Sequence, residues 1–276
     1  MGQFIIREHV YKNITGSILT IGRQTVHITP YLLNLFLTQQ GLKPPSPDKV
    51  KLDASTTNAR MGPFIDDRTF FGSFSSATLH ALDHSDFEGA DIIHNLNDPI
   101  PPELENRFDF IYNGSCLDNV WDPGVTMRNM SRMLKPGGRI VHGEHGTRVN
   151  GPYLTYPPDW FHDYYTINNY ADVKTYIAVF SAADSWDKPA NWIQWDPLRI
   201  ENQQIVIDGV FRCPNADFYN VCLAEKGPDS TWDKCPNQFQ YRSEKDRFFH
   251  AQQALKYRAS SRPIIRFVTT NPPSPQ

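Results

Sequence analysis

The sequence lacks an excess of either charge: 27 lysines and arginines stand against 30 aspartates and glutamates, for a net charge of −3, with no block of five basic residues. Such totals give no electrostatic footprint for nucleic acid or for an anionic membrane, so neither is expected as a partner. Long apolar runs are also missing. No stretch approaches the roughly 18 apolar residues of a membrane span, and MGQFIIREHV carries no secretory-type apolar core, so the chain is expected in the cytoplasm. Cysteine is sparse, and Cys116, Cys213, Cys222 and Cys235 lack the paired close spacing of a zinc site; free thiols and no metal are expected. What is present is enough chain, 276 residues, to bury one sizeable core, and a single domain over 1–276 is the simplest reading.

GSILTIG (16–22) has the pattern of a first buried strand. TPYLLNLFLTQQG suits the helix after it, with Thr29 as cap, Pro30 in the first turn and Gly41 as the stop. From Lys43 to Asp67 the chain is rich in Pro, Asp, Lys, Ser and Thr, an irregular excursion of functional length. ATLHALD, ADIIHNL, FDFIYNG and GRIVHGE supply four further strands. GVTMRNMSRMLK between the last two is a helix by its spacing of Val125, Met127, Met130, Met133 and Leu134, with Gly137 and Gly138 expected to end it. This alternation implies a doubly wound, mostly parallel α/β sheet. Residues 147–200 break the pattern. Aromatics cluster between Tyr153 and Trp195, suggesting an inserted lid or pocket wall with one helix near Asp159 to Tyr170. QQIVIDGVF and ADFYNVCLAEKG suggest an antiparallel edge hairpin, and 240–276 a late helix, with Phe248, Phe249, Gln252 and Leu255 near one face, and a frayed tail.

FDFIYNGSCLDNVWDP followed by RMLKPGGRIV resembles the class I S-adenosylmethionine-dependent methyltransferases, with ATLHALDHSDFEGADIIHNLNDPIP in the place of that family's acid-rich strand end. The resemblance covers roughly residues 14 to 146. It implies a seven-stranded Rossmann-like sheet with a reversed edge strand, and S-adenosyl-L-methionine as cofactor.

Open α/β sheets bind ligands beyond the carboxyl ends of their strands, so those ends hold the candidates. Where the resembled family has a Gly-x-Gly turn, this chain has Gly22-Arg23-Gln24. Gly22 leaves room for the cofactor, and the Arg23 guanidinium matches a methionine carboxylate with two parallel hydrogen bonds; a surface or sheet-capping role is its alternative. The resemblance implies that Asp83 accepts the ribose hydroxyls, with helix capping as the alternative. Asn95 and Leu96 stand where the family reads adenine, and Asn113 and Gly114 leave the fourth strand beside the methionine end. A hydroxyl or ammonium acceptor must lose a proton, and the candidate bases are His142, Glu144 and His145 after the fifth strand and His162, Asp163 and Tyr164 in the insertion, with His142, His145, Asp163 and Tyr164 preferred. Trp160, Phe161, Tyr164, Tyr165 and Tyr170 are candidates for a pocket wall over the methyl donor, or for a small satellite core.

The expected function is methyl transfer to a hydroxyl or amine of a small molecule, a sugar or a secondary metabolite; whether the chain forms a homodimer is left open. Two alternatives stand beside it. One is a methyltransferase-like binding or scaffold protein, motivated by the glycine-poor first turn, and the other an enzyme that cyclises or cleaves S-adenosylmethionine itself.

Overall fold

The computed structural model describes residues 1–147, 151–181, 191–197, 216–260 and 262. The apolar runs between turn residues form parallel strands: β1 (Ser17–Ile21), β2 (Thr78–Asp83), β3 (Ile92–Ile93), β4 (Phe108–Gly114) and β5 (Leu134–His145). They continue into β6 (Asp172–Ser181), β7 (Asn191–Trp195) and β8 (Ala216–Glu225) in one eight-stranded sheet of order β3-β2-β1-β4-β5-β8-β6-β7. β8 runs antiparallel to both β5 and β6, so β6 points the same way as β1 to β5, and β7 forms an antiparallel edge hairpin with β6. The sheet is thus one strand wider than the seven expected.

Helices cover both faces. On one lie α1 (Gly2–Tyr11), α2 (Pro30–Gln39) and α3 (Asp67–Gly72), and on the other α4 (Pro123–Met133), α5 (Pro158–Ile167) and α6 (Glu244–Ala259). β4 shows how one strand feeds both cores. Ile111 joins the α4 and α5 side, Phe110 and Tyr112 the α1 to α3 side, as the two-residue strand period requires. Phe108 departs from that alternation because the β4–β5 register shifts between Phe108 and Phe110.

Several expectations hold at the level of residues. Thr29 caps α2 by accepting from the Leu32 amide at 3.3 Å, and Pro30 stands in its first turn. Others need correction. α4 ends at Met133 with an extended Leu134, so Gly137 and Gly138 do not stop it; Gly137, at φ 79°, turns the chain within the following strand, and a side chain on Gly138 would meet Lys135 and Asp109 carbonyls. Of the segment expected as an inserted lid, 147–200, the described parts α5, β6 and β7 belong to the sheet and its cover. The buried face of α6 is His250, Ala254 and Tyr257, whereas Phe248 and Leu255 are exposed, because the Tyr257 hydroxyl reaches the Tyr170 carbonyl at 3.2 Å. The QQIVIDGVF half of the expected hairpin, Cys213 and the NPPSPQ tail lie outside the described residues; Cys116, Cys222 and Cys235 are free thiols.

α1 had no expectation attached. Its Phe4, Ile5 and Ile6 are buried, and Glu8 is 5% exposed between the guanidinium groups of Arg139, at 2.6 Å, and Arg262. A buried carboxylate with two such partners ties this helix to β5.

Candidate active site

A cleft of about 1070 Å³ opens beyond the carboxyl ends of β1, β2, β4 and β5. Gly22, Asp83, Gly114 and His145 line it, one from each strand end. Gly22 takes φ 71° and donates its amide to the Leu82 carbonyl at 2.7 Å, a conformation that a Cβ would strain. Asp83 is 29% exposed at its side chain and accepts from the His84 amide and imidazole through Oδ1. Gly114 is required by a close approach: a Cβ there would overlap the Gln24 amide oxygen and the Tyr112 hydroxyl. The bulky first turn and the glycine after the fourth strand therefore fit one another. Gln24 fills space at the first turn, and the missing side chain at Gly114 accommodates it.

Arg23 also lines the cleft, but its bidentate edge is already used. Nε and Nη2 donate to the Asp67 carboxylate at 2.9 and 2.8 Å, Nη1 donates to the Glu88 carbonyl, and Asp67 accepts the Gln24 amide as well. Both side chains are nearly buried, and the paired carboxylate holds the guanidinium above its ordinary pKa. Arg23 therefore braces the first turn against α3, and the fork that would grip a methionine carboxylate is closed. Glu88 adds a second brace: its Oε1 accepts both the amide and the hydroxyl of Thr57 at 2.5 Å, holding the long 43–67 excursion, with Thr57, Asn58 and Met61 along the cleft, against the end of β2.

The remaining candidates lie elsewhere. Asn95 is exposed and closes a local turn by accepting from the Asn97 amide; Leu96 is a core residue whose carbonyl receives Thr126 and Asn129. Neither borders the cleft. Asp163 is 8% exposed and pairs with Arg242, facing α6. The Tyr164 hydroxyl donates to the Trp232 carbonyl at 2.8 Å and lies within hydrogen-bond reach of Ser131 Oγ at 3.1 Å. Trp160, Phe161, Tyr165 and Tyr170 pack with it in the core beneath the sheet, so the expected aromatic pocket wall is core.

His142 and Asn113 are completely buried behind the cleft floor. Asn113 Nδ2 donates to His142 Nδ1 at 2.9 Å and to Glu144 Oε1 at 2.6 Å, and its Oδ1 accepts the Cys116 amide at 3.3 Å. An amide nitrogen only donates, so the imidazole carries its proton on Nε2, 2.6 Å from the Tyr165 hydroxyl. Burial holds His142 down to about 3, and its ring stacks on Phe161 at 4.9 Å. A neutral, enclosed imidazole of this kind has no path to an acceptor. Glu144 accepts the Leu117 amide as well, and burial together with the Asp118 carboxylate pushes it well above the usual carboxylate range. This network anchors the turn 113–119, in which Ser115 adopts φ 63° and donates to Asp118 Oδ2 at 2.8 Å, and which presents Ser115, Cys116 and Asp118 to the cleft.

His145, by contrast, borders the cleft, edge-on to Tyr219 at 5.3 Å. The other walls were not anticipated: Phe4 from α1, Leu32 and Phe36 from α2, Phe180 from β6, Trp192 from β7 and Tyr219 from β8. They come from five elements spread over more than two hundred residues, and no local pattern marks them. Asp118 was within reach of the strand-end rule, three residues past the Ser115 that directly follows β4.

Residues 90–142 match the family model described as a methyltransferase domain. No curated protein matches the chain. Among solved structures, it is similar to phosphoethanolamine N-methyltransferase 2 of Haemonchus contortus in complex with S-adenosyl-L-methionine, at 13% identity and a TM-score of 0.41 over 82% of this chain and 52% of that one. It is similar also to the CMeT domain of the citrinin polyketide synthase, at 15% identity and 0.38 over 78% and 47%. A third likeness is to the [4+2]-cyclase SpnF, at 9% and 0.37 over 82% and 80%. The chain spans about half the length of the first two, at 52% and 47%. No helix among the described residues is long and apolar enough to cross a membrane. Residues 90–142 thus resemble a methyltransferase domain, and they lie in a sheet whose first five strands are parallel and whose β8 is reversed beside β5.

Proposed function

We propose that the chain transfers a methyl group to a hydroxyl or amine of a small molecule, in the cytoplasm, with both reactants held in the cleft beyond β1, β2, β4 and β5. The observation that carries this reading is the convergence of Gly22, Asp83 and Gly114 on one cavity: two positions without a Cβ and one partly exposed carboxylate, each at a strand end. The residues fit the cofactor. Glycine backbone at 22 would admit its methionine and ribose portions, and Asp83 would accept the ribose hydroxyls. S-adenosylmethionine, when bound, supplies an electrophilic methyl group on a sulfonium.

The chain's own work is then alignment, exclusion of water and movement of one proton. The buried network behind residues 113–119 fixes one wall, and the Arg23–Asp67 and Thr57–Glu88 contacts fix the opposite one, so an acceptor meets a preformed surface. His145, which borders the cleft, takes the proton of the acceptor hydroxyl. The near-balanced charge of the chain supports a small acceptor over nucleic acid.

Calorimetric titration with S-adenosylhomocysteine tests the reading. Wild-type protein should bind at micromolar or tighter affinity, and Asp83→Ala should lose roughly 1.5–3 kcal/mol, about ten- to a hundredfold. Absence of binding by the wild type would leave the scaffold alternative, which the filled Arg23-Gln24 turn favours; unchanged affinity in the variant would remove Asp83 from the site.

A further inference from the structure

The cleft has two chemically different halves. The half at the β1, β2 and β4 ends holds the polar groups, with Gln24, Asp83, Glu88, Ser115 and Asp118 along it. The half toward α1, α2 and the β6–β7 edge is walled by Phe4, Leu32, Phe36, Phe180, Trp192 and Tyr219. The Tyr219 hydroxyl donates to the Gly143 carbonyl at 2.7 Å, leaving its ring as wall. The Phe4 and Trp192 rings lie nearly parallel, 9° apart with centroids 5.9 Å apart, so the aromatic surface is pre-ordered. At the outer end Gln3 donates to Gln39 at 3.0 Å, joining α1 to α2 with a neutral pair. Among the described side chains lining this half, Arg7 is the charged one, beside the polar Gln3, His27, Gln39 and Gln40, and no carboxylate occurs.

A single drug-sized ligand takes roughly 300–1,000 Å³. The cleft, at about 1070 Å³, has room for a second small molecule beside a nucleoside-sized one. What the apolar half stabilises is apolar area: a flat hydrophobic skeleton gains from leaving water there, whereas a sugar would bring several hydroxyls to walls with few partners for them, and an ammonium would meet no carboxylate.

We propose that the acceptor is a flat, largely apolar, uncharged hydroxyl compound of the phenol or naphthol class, seated against Phe36 and Trp192 with its hydroxyl toward His145. This inference rests on the functional reading above and narrows its acceptor. Methylation there forms the oxygen–methyl bond as the sulfur–methyl bond breaks; the hydroxyl proton passes to His145 and the neutral thioether leaves with the sulfur's electron pair.

The test is calorimetric titration of 2-naphthol, methyl α-D-glucopyranoside and ethanolamine, each into the protein saturated with S-adenosylhomocysteine and each into the protein alone. The expected result is binding of 2-naphthol in preference to both others. Trp192→Ala should weaken that binding by about ten- to a hundredfold while S-adenosylhomocysteine affinity stays at the wild-type value, which also shows that the variant is folded. Preference for the glucoside or for ethanolamine, no binding of 2-naphthol, or an affinity for it indifferent to Trp192→Ala would each overturn the proposal. Failure of S-adenosylhomocysteine to bind the wild type would instead defeat the cofactor reading, and the naphthol titration of the protein alone would still decide the acceptor class.

Discussion

Two groups of aromatic side chains have opposite fates. The contiguous one, Trp160, Phe161, Tyr164, Tyr165 and Tyr170, looks like a pocket wall in sequence, yet it fills the core under the sheet with its hydroxyls bonded to Ser131, Trp232 and His142. The dispersed one, Phe4, Phe36, Phe180, Trp192 and Tyr219, leaves no mark in sequence, yet five elements bring it to the cleft. Aromatic density along a chain records a helix burying one broad face. A cavity wall is instead assembled where residues distant in sequence meet.

The comparison should break most visibly in acid, because the core group encloses His142. Its folded pKa of about 3 lies below the unfolded value near 6.5, so the stability that its neutral ring contributes is fully present above about pH 6.5. That contribution is lost as pH falls through the window toward about 3, by up to about 5 kcal/mol. Urea midpoints between pH 4 and 7 should fall steeply for the wild type and less steeply for His142→Gln. His250, held down to about 4 by burial, titrates in both proteins and so does not produce the difference. Parallel slopes would mean that the imidazole is not enclosed. Next in size, Phe161→Ala should cost roughly 3–5 kcal/mol in urea unfolding, because a fully buried ring leaves a cavity against His142 and Tyr156. Phe36→Ala, at a half-buried cleft position, should cost about 1 kcal/mol. Equal losses would erase the distinction between core and wall.

What the sequence disclosed follows the same division. β1, β2, β4, β5, α2 and α4 are legible because local pattern and punctuation specify them, as at Thr29, Pro30 and Asp122, whose carboxylate accepts the Val125 amide. β6 escapes because Asp172 and Lys174 sit within it. A strand with charges reads as loop until Arg262 and Ser260 are seen to pair with Asp172. α1 escapes for a like reason, since its burial depends on Arg139, 131 residues from Glu8. At the site, Gly22, Asp83, Gly114 and His145 were reachable through the strand-end rule, and the structure brings all four to one cleft. The same rule could not separate His145 from His142. Three residues apart on a strand, they point to opposite faces, and only packing shows that the first meets the cleft and the second Phe161. Arg23 was placed at the cleft, but its partner Asp67 lies 44 residues away in a turn whose course no local signal fixes.

The smallest expected effect sharpens the contrast by concerning a wall alone. Glu88 Oε1 receives both donors of Thr57 at 2.5 Å across the cleft rim, at an exposed position, so the contact competes with water and its net worth is on the order of 1 kcal/mol. Glu88→Ala should leave the global urea midpoint within about 0.5 kcal/mol of the wild type, because neither core cluster includes these residues. It should nevertheless free the 53–61 segment to open locally, raising hydrogen exchange at the Thr57 amide about fivefold while exchange in β4 and β5 stays at the global rate. If exchange rose in β4 and β5 as well, the cleft rim would be part of the cooperative core, and the division between a rigid sheet and a separately held wall would fall with it.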